Sequence, residues 1–168
     1  TADEKFLDYA GPYNFYTTAR CHDFHMKMYA AMLCGRYEPA VSAADGIIRS
    51  LPPEVLRSGK PHAMITLEGY YSSKMHVFVR FGKWQTIIDA PMPDEPELYC
   101  VTTAMYRYAK GVAHAASGNI EAAREEKALF LDVCGKIAPE RFFFNNTALD
   151  VLAIASEMLN GELEYRRG

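Results

Sequence analysis

The residues best suited to chemistry lie in one short run, Cys21-His22-Asp23-Phe24-His25. Two histidines at i and i+3 share a face of a helix, one turn apart, and neutral imidazoles so placed can ligate one metal ion. With His76 as a third ligand, His22 and His25 offer the nitrogen set that zinc, copper or nickel accepts. Asp23 falls off that face and is a poor fourth ligand, while Met26 and Met28 point elsewhere. The plainer alternative for the same residues is the polar lining of a groove. There His22, His25 and Tyr29, related by i+3 and i+4, would contact neighbouring helices or a bound peptide.

The other reactive side chains read as structural. His114 falls among alanines and suits a satisfied interior histidine, whose pKa burial would lower. His62 follows Pro61 at a helix start and is expected to face solvent. Tyr70, Tyr71, Tyr106, Tyr108 and the run Phe142 to Phe144 are placed either to stack on a ligand or to fill a core. Three consecutive phenylalanines cannot all face one core, so one is expected to be exposed. Glu121, Glu125 and Glu126 with Arg124 and Lys127 make a solvated helix face. The sequence has no glycine-rich phosphate loop, no nucleophile elbow and no paired carboxylates on the expected inner face, so a non-enzymatic role is the expectation.

Composition narrows the class further. The chain has 168 residues, 49% of them hydrophobic, and a net charge of −3, enough for one globular domain over 1–168 with a sizeable core. Nothing basic invites nucleic acid or an anionic membrane, and no apolar run approaches a membrane span. No signal peptide is visible, although the chain opens on Thr1, as processing or truncation would leave it. Cys21, Cys34, Cys100 and Cys134 show no Cys-x-x-Cys pairing and suit small buried thiols. A reducing compartment, with the cytoplasm favoured, and no obligatory cofactor follow as expectations.

Period-3.6 patterning supplies the elements that hold these residues. Asp3 to Tyr9 suits one or two helical turns. Helices are then predicted over about 14–33, 37–51, 62–81, 84–90, 96–116 and 120–137, with a last one over about 145–167. Pro52-Pro53, Pro91, Pro93 and Pro139 interrupt the pattern, and Ser58 to Pro61 reads as a loop. Pro96 suits a first helical turn, Asn119 is placed to cap the helix after it, and Asn145, Asn146 or Thr147 to cap the last. Gly111 sits within a helix, where glycine costs about 1 kcal/mol against alanine, so another helix is expected to cross closely there.

Gly35-Arg36-Tyr37, Gly82-Lys83-Trp84 and Gly118-Asn119-Ile120 are one turn repeated: a glycine, a polar residue, a large apolar one. With Gly111, Ala123 and Phe130-Leu131, the third copy resembles a tetratricopeptide repeat. The resemblance covers about 20–168 and is densest over 96–137. Its spacing exceeds the family's period of about 34 residues, so longer loops or helices take up the excess. Gly161 precedes Gly168 as Gly111 precedes Gly118, which suggests an unfinished fourth copy.

The resemblance implies an all-α, right-handed superhelical stack of antiparallel helix pairs, with pairs over about 14–51, 62–90 and 96–137 and a final helix. A chain ending there is expected to be a fragment of a longer array, or to cover its last helix with a partner, a homodimer included. The first helix of each pair would line a concave face that binds a protein or peptide. That register turns His22, His25, Tyr29 and Met32 inward in the first pair, and Gly69, Ser72, His76, Val79 and Arg80 in the second. It does the same for Met105, Tyr108, Val112 and Ala115 in the third, and for Met158, Glu162, Tyr165 and Arg166 in the last helix. Tyr29, His76, Arg80 and Tyr108 are the expected anchors. The family's clamp for a terminal carboxylate needs several inward lysines, arginines and asparagines, and this chain offers only Arg80 and Arg166.

Overall fold

The three glycine turns set the architecture. Gly35, Gly82 and Gly118 have φ of +68°, +63° and +83°, a region closed to most side chains. Each turn closes with the same two bonds: the glycine N–H to the carbonyl three residues back, and the next N–H to the carbonyl five back. Arg36 N donates to Ala31 O at 2.8 Å, Lys83 N to Phe78 O at 2.9 Å, and Asn119 N to His114 O at 2.9 Å. That is the Schellman cap, which satisfies carbonyls a helix end would otherwise leave open. Tyr37, Trp84 and Ile120 each start the following helix.

The computed structural model describes residues 2–11, 14–57, 67–143 and 145–168. Among these the chain is all-α apart from one small hairpin. The helices are α1 (Ala2–Ala10), α2 (Thr17–Leu33), α3 (Tyr37–Ser50), α4 (Pro53–Arg57), α5 (Ser73–Arg80), α6 (Trp84–Asp89), α7 (Cys100–Ala116), α8 (Ile120–Cys134) and α9 (Ala148–Arg167). A 3-10 segment, Glu68–Ser72, leads into α5. The hairpin pairs β1 (Phe142–Phe143) with β2 (Asn146–Thr147). Packing runs along the chain: α2 on α3, α3 on α5, α5 and α6 on α7, and α7 and α8 on α9. The core lies in three clusters along this line, one around α2 and α3, one between α5, α6 and α7, and one joining α7, α8 and α9. No helix among the described residues is long and apolar enough to cross a membrane. Cys21, Cys34, Cys100 and Cys134 are unpaired thiols.

Gly111 meets its expectation. A Cβ there would lie 3.0 Å from the Leu159 side chain of α9, so the two helices cross at the glycine. Gly161 is neither a turn nor a crossing: it lies inside α9, and an added Cβ would meet open space. Asn119 makes no side-chain cap, whereas Thr147 caps α9 by accepting from Asp150 N at 3.2 Å.

Several boundaries differ from the sequence reading. The helix expected over 62–81 is a 3-10 segment followed by α5, and its expected start, with His62 and the Ser58–Pro61 loop, lies outside the described residues. Two contacts hold the tighter segment. The Phe143 ring occupies the place a Cβ of Gly69 would take, and the Ser72 hydroxyl donates to Gly69 O at 2.8 Å. Helix α7 starts at Cys100 rather than at 96, because the fully buried Glu68 accepts from Thr102 N at 2.6 Å and so satisfies its N-terminus from outside. Arg141 bridges Glu68 at 3.3 Å and Leu98 O at 3.2 Å. Helix α8 stops at Cys134, before 137, and α9 begins at Ala148. Pro53 opens the short α4 instead of only ending α3. Of the phenylalanine run, Phe142 is exposed and Phe143 packs on Gly69; Phe144 lies outside the described residues.

Candidate ligand groove

Four helices open onto one hollow of about 230 Å³. α2 contributes Tyr29 and Met32, α5 contributes Met75, His76, Val79 and Arg80, α7 contributes Met105, Tyr108 and Ala109, and α9 contributes Met158. Helical spacing explains each set, since Tyr29 with Met32, His76 with Val79 and Arg80, and Met105 with Tyr108 and Ala109 lie at i+3 or i+4. Two other hollows, beside Phe130 and Leu131 and beside Arg124 and Lys127, are each lined by α8 and α9 alone.

The floor is apolar and soft. Met32, Met75 and Met105 are buried, and thioether chains adapt to irregular partners. The rim is polar and weighted toward donors. Arg80 is exposed and makes no ion pair among the described residues. His76 is half-buried; loss of hydration pushes its pKa down to about 4, with the nearby His25 adding to the effect. The imidazole is therefore neutral at pH 7 and offers one donor and one acceptor. Burial holds the phenols of Tyr29 and Tyr108 above their usual pKa, and for Tyr108 Glu162 adds to it.

The structure brings Tyr29, His76, Arg80, Met105 and Tyr108 together at this hollow, with Met32, Val79 and Met158 from the same register. His25 does not line it, but its ring packs edge-on against Tyr29 at 4.8 Å and Tyr70 at 5.3 Å. Burial first, then His22, lowers the His25 pKa. Gly69, Val112, Ala115, Glu162, Tyr165 and Arg166, expected on the same face, do not line the hollow either, and Ser72 and His22 are turned away from it. Ser72 is buried, with its hydroxyl turned to Gly69 O. The His22 side chain is 61% exposed and stands 3.8 Å from Asp23. Met75 and Ala109 join the lining from positions that the sequence pattern assigns to packing.

No metal centre forms from the three histidines. Among the described residues, no group of three or more His, Cys, Asp or Glu side chains is arranged to hold a metal ion. The reason is His22, which points to solvent on α2 while His76 faces inward. Cys21 beside it is buried, which pushes its thiol up to about 12 and leaves no thiolate for ligation or attack at neutral pH. His114 is half-buried, and its Nδ1 has no hydrogen-bond partner, in contrast to the satisfied interior histidine expected.

No family model, curated protein or solved structure matches the chain.

Proposed function

We propose that this chain is a protein- or peptide-binding module, acting by recognition rather than catalysis, and that its ligand lies in the groove between Tyr29, His76, Met105 and Tyr108. On this reading the helices form a tetratricopeptide-like right-handed stack, and the groove is its concave face. The observation that carries the proposal is the shared hollow: the first helix of each successive pair, and then α9, turns side chains into one space. The repeated Schellman turns support the stack. An apolar methionine floor under a rim of Tyr, His and Arg suits a segment that seats one apolar side chain and presents acceptors to Arg80 and the phenols.

Selection of a random peptide library on the immobilised chain tests this. The expected result is enrichment of sequences that share an apolar anchor, with binding weakened at least tenfold by Tyr29→Ala and by Arg80→Glu. Both residues are exposed, so neither change should disturb the fold. Absence of enrichment, or enriched peptides that bind both variants unchanged, would overturn the proposal.

A further inference from the structure

The uncovered face of α9 repeats a face that α9 itself covers. On α7, Val101, Ala104, Tyr108, Gly111 and Ala115 are buried at spacings i, i+3, i+7, i+10 and i+14, one continuous stripe. Apart from the glycine they share a core cluster with Ala148, Leu152, Ala155, Leu159 and Leu163 of α9, and a Cβ on Gly111 would come within 3.0 Å of the Leu159 side chain. In α9 the same spacing, with glycine in the same place, gives Val151, Ile154, Met158, Gly161 and Tyr165. This copy has no cover: Ile154 is 64% exposed, Met158 59% and Tyr165 75%, and open space surrounds Gly161. Glycine inside an exposed helix is destabilising, and at Gly111 the offsetting feature is a helix lying across it.

The other end of the molecule carries the matching face. Counted back from Gly168, the covering residues of α9 after Ala148 are Leu152, Ala155, Leu159 and Leu163. Counted back from Gly35 in the same register, α2 presents Ala19, His22, Met26 and Ala30, and all four are exposed. The charges at the two faces also differ in sign. Asp150, Glu157 and Glu164 form one edge of the α9 stripe, with Glu164 paired to Arg167 at 3.0 Å, while on α2 the cations Arg20 and Lys27 flank the single acid Asp23 and make no ion pair among the described residues. Two α9 stripes set face to face would instead bring that acidic edge against itself, which is repulsive.

We infer that the chain stacks head to tail on a second copy of itself, with the Met26 face of α2 in one copy seated on the Ile154–Gly161 stripe of α9 in the next. The contact copies the seating of α9 on α7. It is heterologous, so each copy keeps one free face of each kind and the assembly grows in one direction. This goes beyond the groove reading; Met158 borders both faces, and the two readings are separated at Ile154, Met26 and Gly161, none of which lines the groove.

Sedimentation equilibrium of the full chain over a wide concentration range tests it, with Ile154→Glu blocking one face and Met26→Glu the other. The wild-type mass is expected to climb with concentration past twice the 18.9 kDa chain, and each variant alone to stay at one chain. An equimolar mixture of the two variants retains one intact pair of faces, so it should form a two-chain species and nothing larger. Gly161→Leu, whose side chain meets open space in the single chain, should block growth without lowering the melting temperature. This guards against a variant that fails to fold. A wild-type chain that stays monomeric throughout would overturn the inference, as would a mixture that does not pair. A dimer that survives Met26→Glu, as symmetric pairing of two α9 helices requires, would overturn it too.

Discussion

The same substitution at two glycines should have opposite effects on stability. Gly111 and Gly161 both lie within long helices, so replacement by alanine gains about 1 kcal/mol of helix propensity at either site. Within a single chain nothing opposes that gain at Gly161, because an added Cβ meets no atom within 4 Å. Gly161→Ala should therefore raise stability by about 1 kcal/mol, or about 2–4 °C in melting temperature for a chain of this size. At Gly111 the new Cβ lies 3.0 and 3.1 Å from the two δ-carbons of Leu159. Leu159 is fully buried, and a close-packed interior resists its displacement. Overpacking of this kind costs about 1–3 kcal/mol, so Gly111→Ala should be net destabilising by about 1 kcal/mol. The gap between the two variants is then about 2 kcal/mol. Urea unfolding followed by far-UV circular dichroism measures both, with equal slopes confirming that only stability has changed. In a Leu159→Ala background, Gly111→Ala should become stabilising. If it is as stabilising as Gly161→Ala in the native background, α7 and α9 do not cross closely at Gly111, and the comparison of covered and uncovered stripes fails with it.

Three further outcomes follow from named contacts. Glu68→Ala leaves Thr102 N and Arg141 without their buried partner and should cost about 3 kcal/mol in urea unfolding. Glu68→Gln retains an acceptor for Thr102 N; because burial raises the Glu68 pKa in the folded chain, it should cost less than about 1 kcal/mol at pH 7. His76 gives the pH dependence: its folded pKa of about 4 lies below the unfolded value of 6.5, so the unfolded chain takes up the proton first. Stability should be full above pH 6.5 and fall by up to about 3 kcal/mol as pH drops toward 4, and His76→Gln should flatten that slope in a pH series of melts. Gly69→Ala would place a Cβ 1.7 Å from the Phe143 ring and should cost about 2–3 kcal/mol, partly recovered by Phe143→Leu, as thermal unfolding of the single and double variants would show.

What the sequence discloses and what it hides divide along physical lines. The turns at Gly35, Gly82 and Gly118 are legible because a positive φ selects glycine and the apolar residue two positions on starts the next helix. Tyr29, His76, Arg80, Met105 and Tyr108 are legible because each stands at a fixed offset from a turn glycine. His22 shares a stripe with His25 and Tyr29, yet spacing does not say which edge of a stripe faces inward, and the outer edge is the exposed one. Ser72 is hidden by a local bond, since its hydroxyl returns to Gly69 O and belongs to a 3-10 turn. The 3-10 segment and the late start of α7 depend on Glu68 reaching Thr102, and Arg141 reaches Glu68 from beyond α8. No window on one helix contains such contacts. The β1–β2 hairpin has strands of two residues, too short to leave an alternating pattern.

The groove can be tested most directly through its own methionines. Met32, Met75, Met105 and Met158 line it, whereas Met26 lies on the outer face of α2 and Met28 is buried in the cluster with Cys21. Carbon-13 labelling of the methionine methyl groups gives each position its own signal, assigned by single Met→Leu variants. Titration of the Ile154→Glu chain, in which the stacking contact is blocked, with a library-selected peptide should shift or broaden Met32, Met75, Met105 and Met158 and leave Met26 and Met28 in place. Binding that moves Met26 while the four groove signals stay fixed would put the ligand on the outer face and contradict the account.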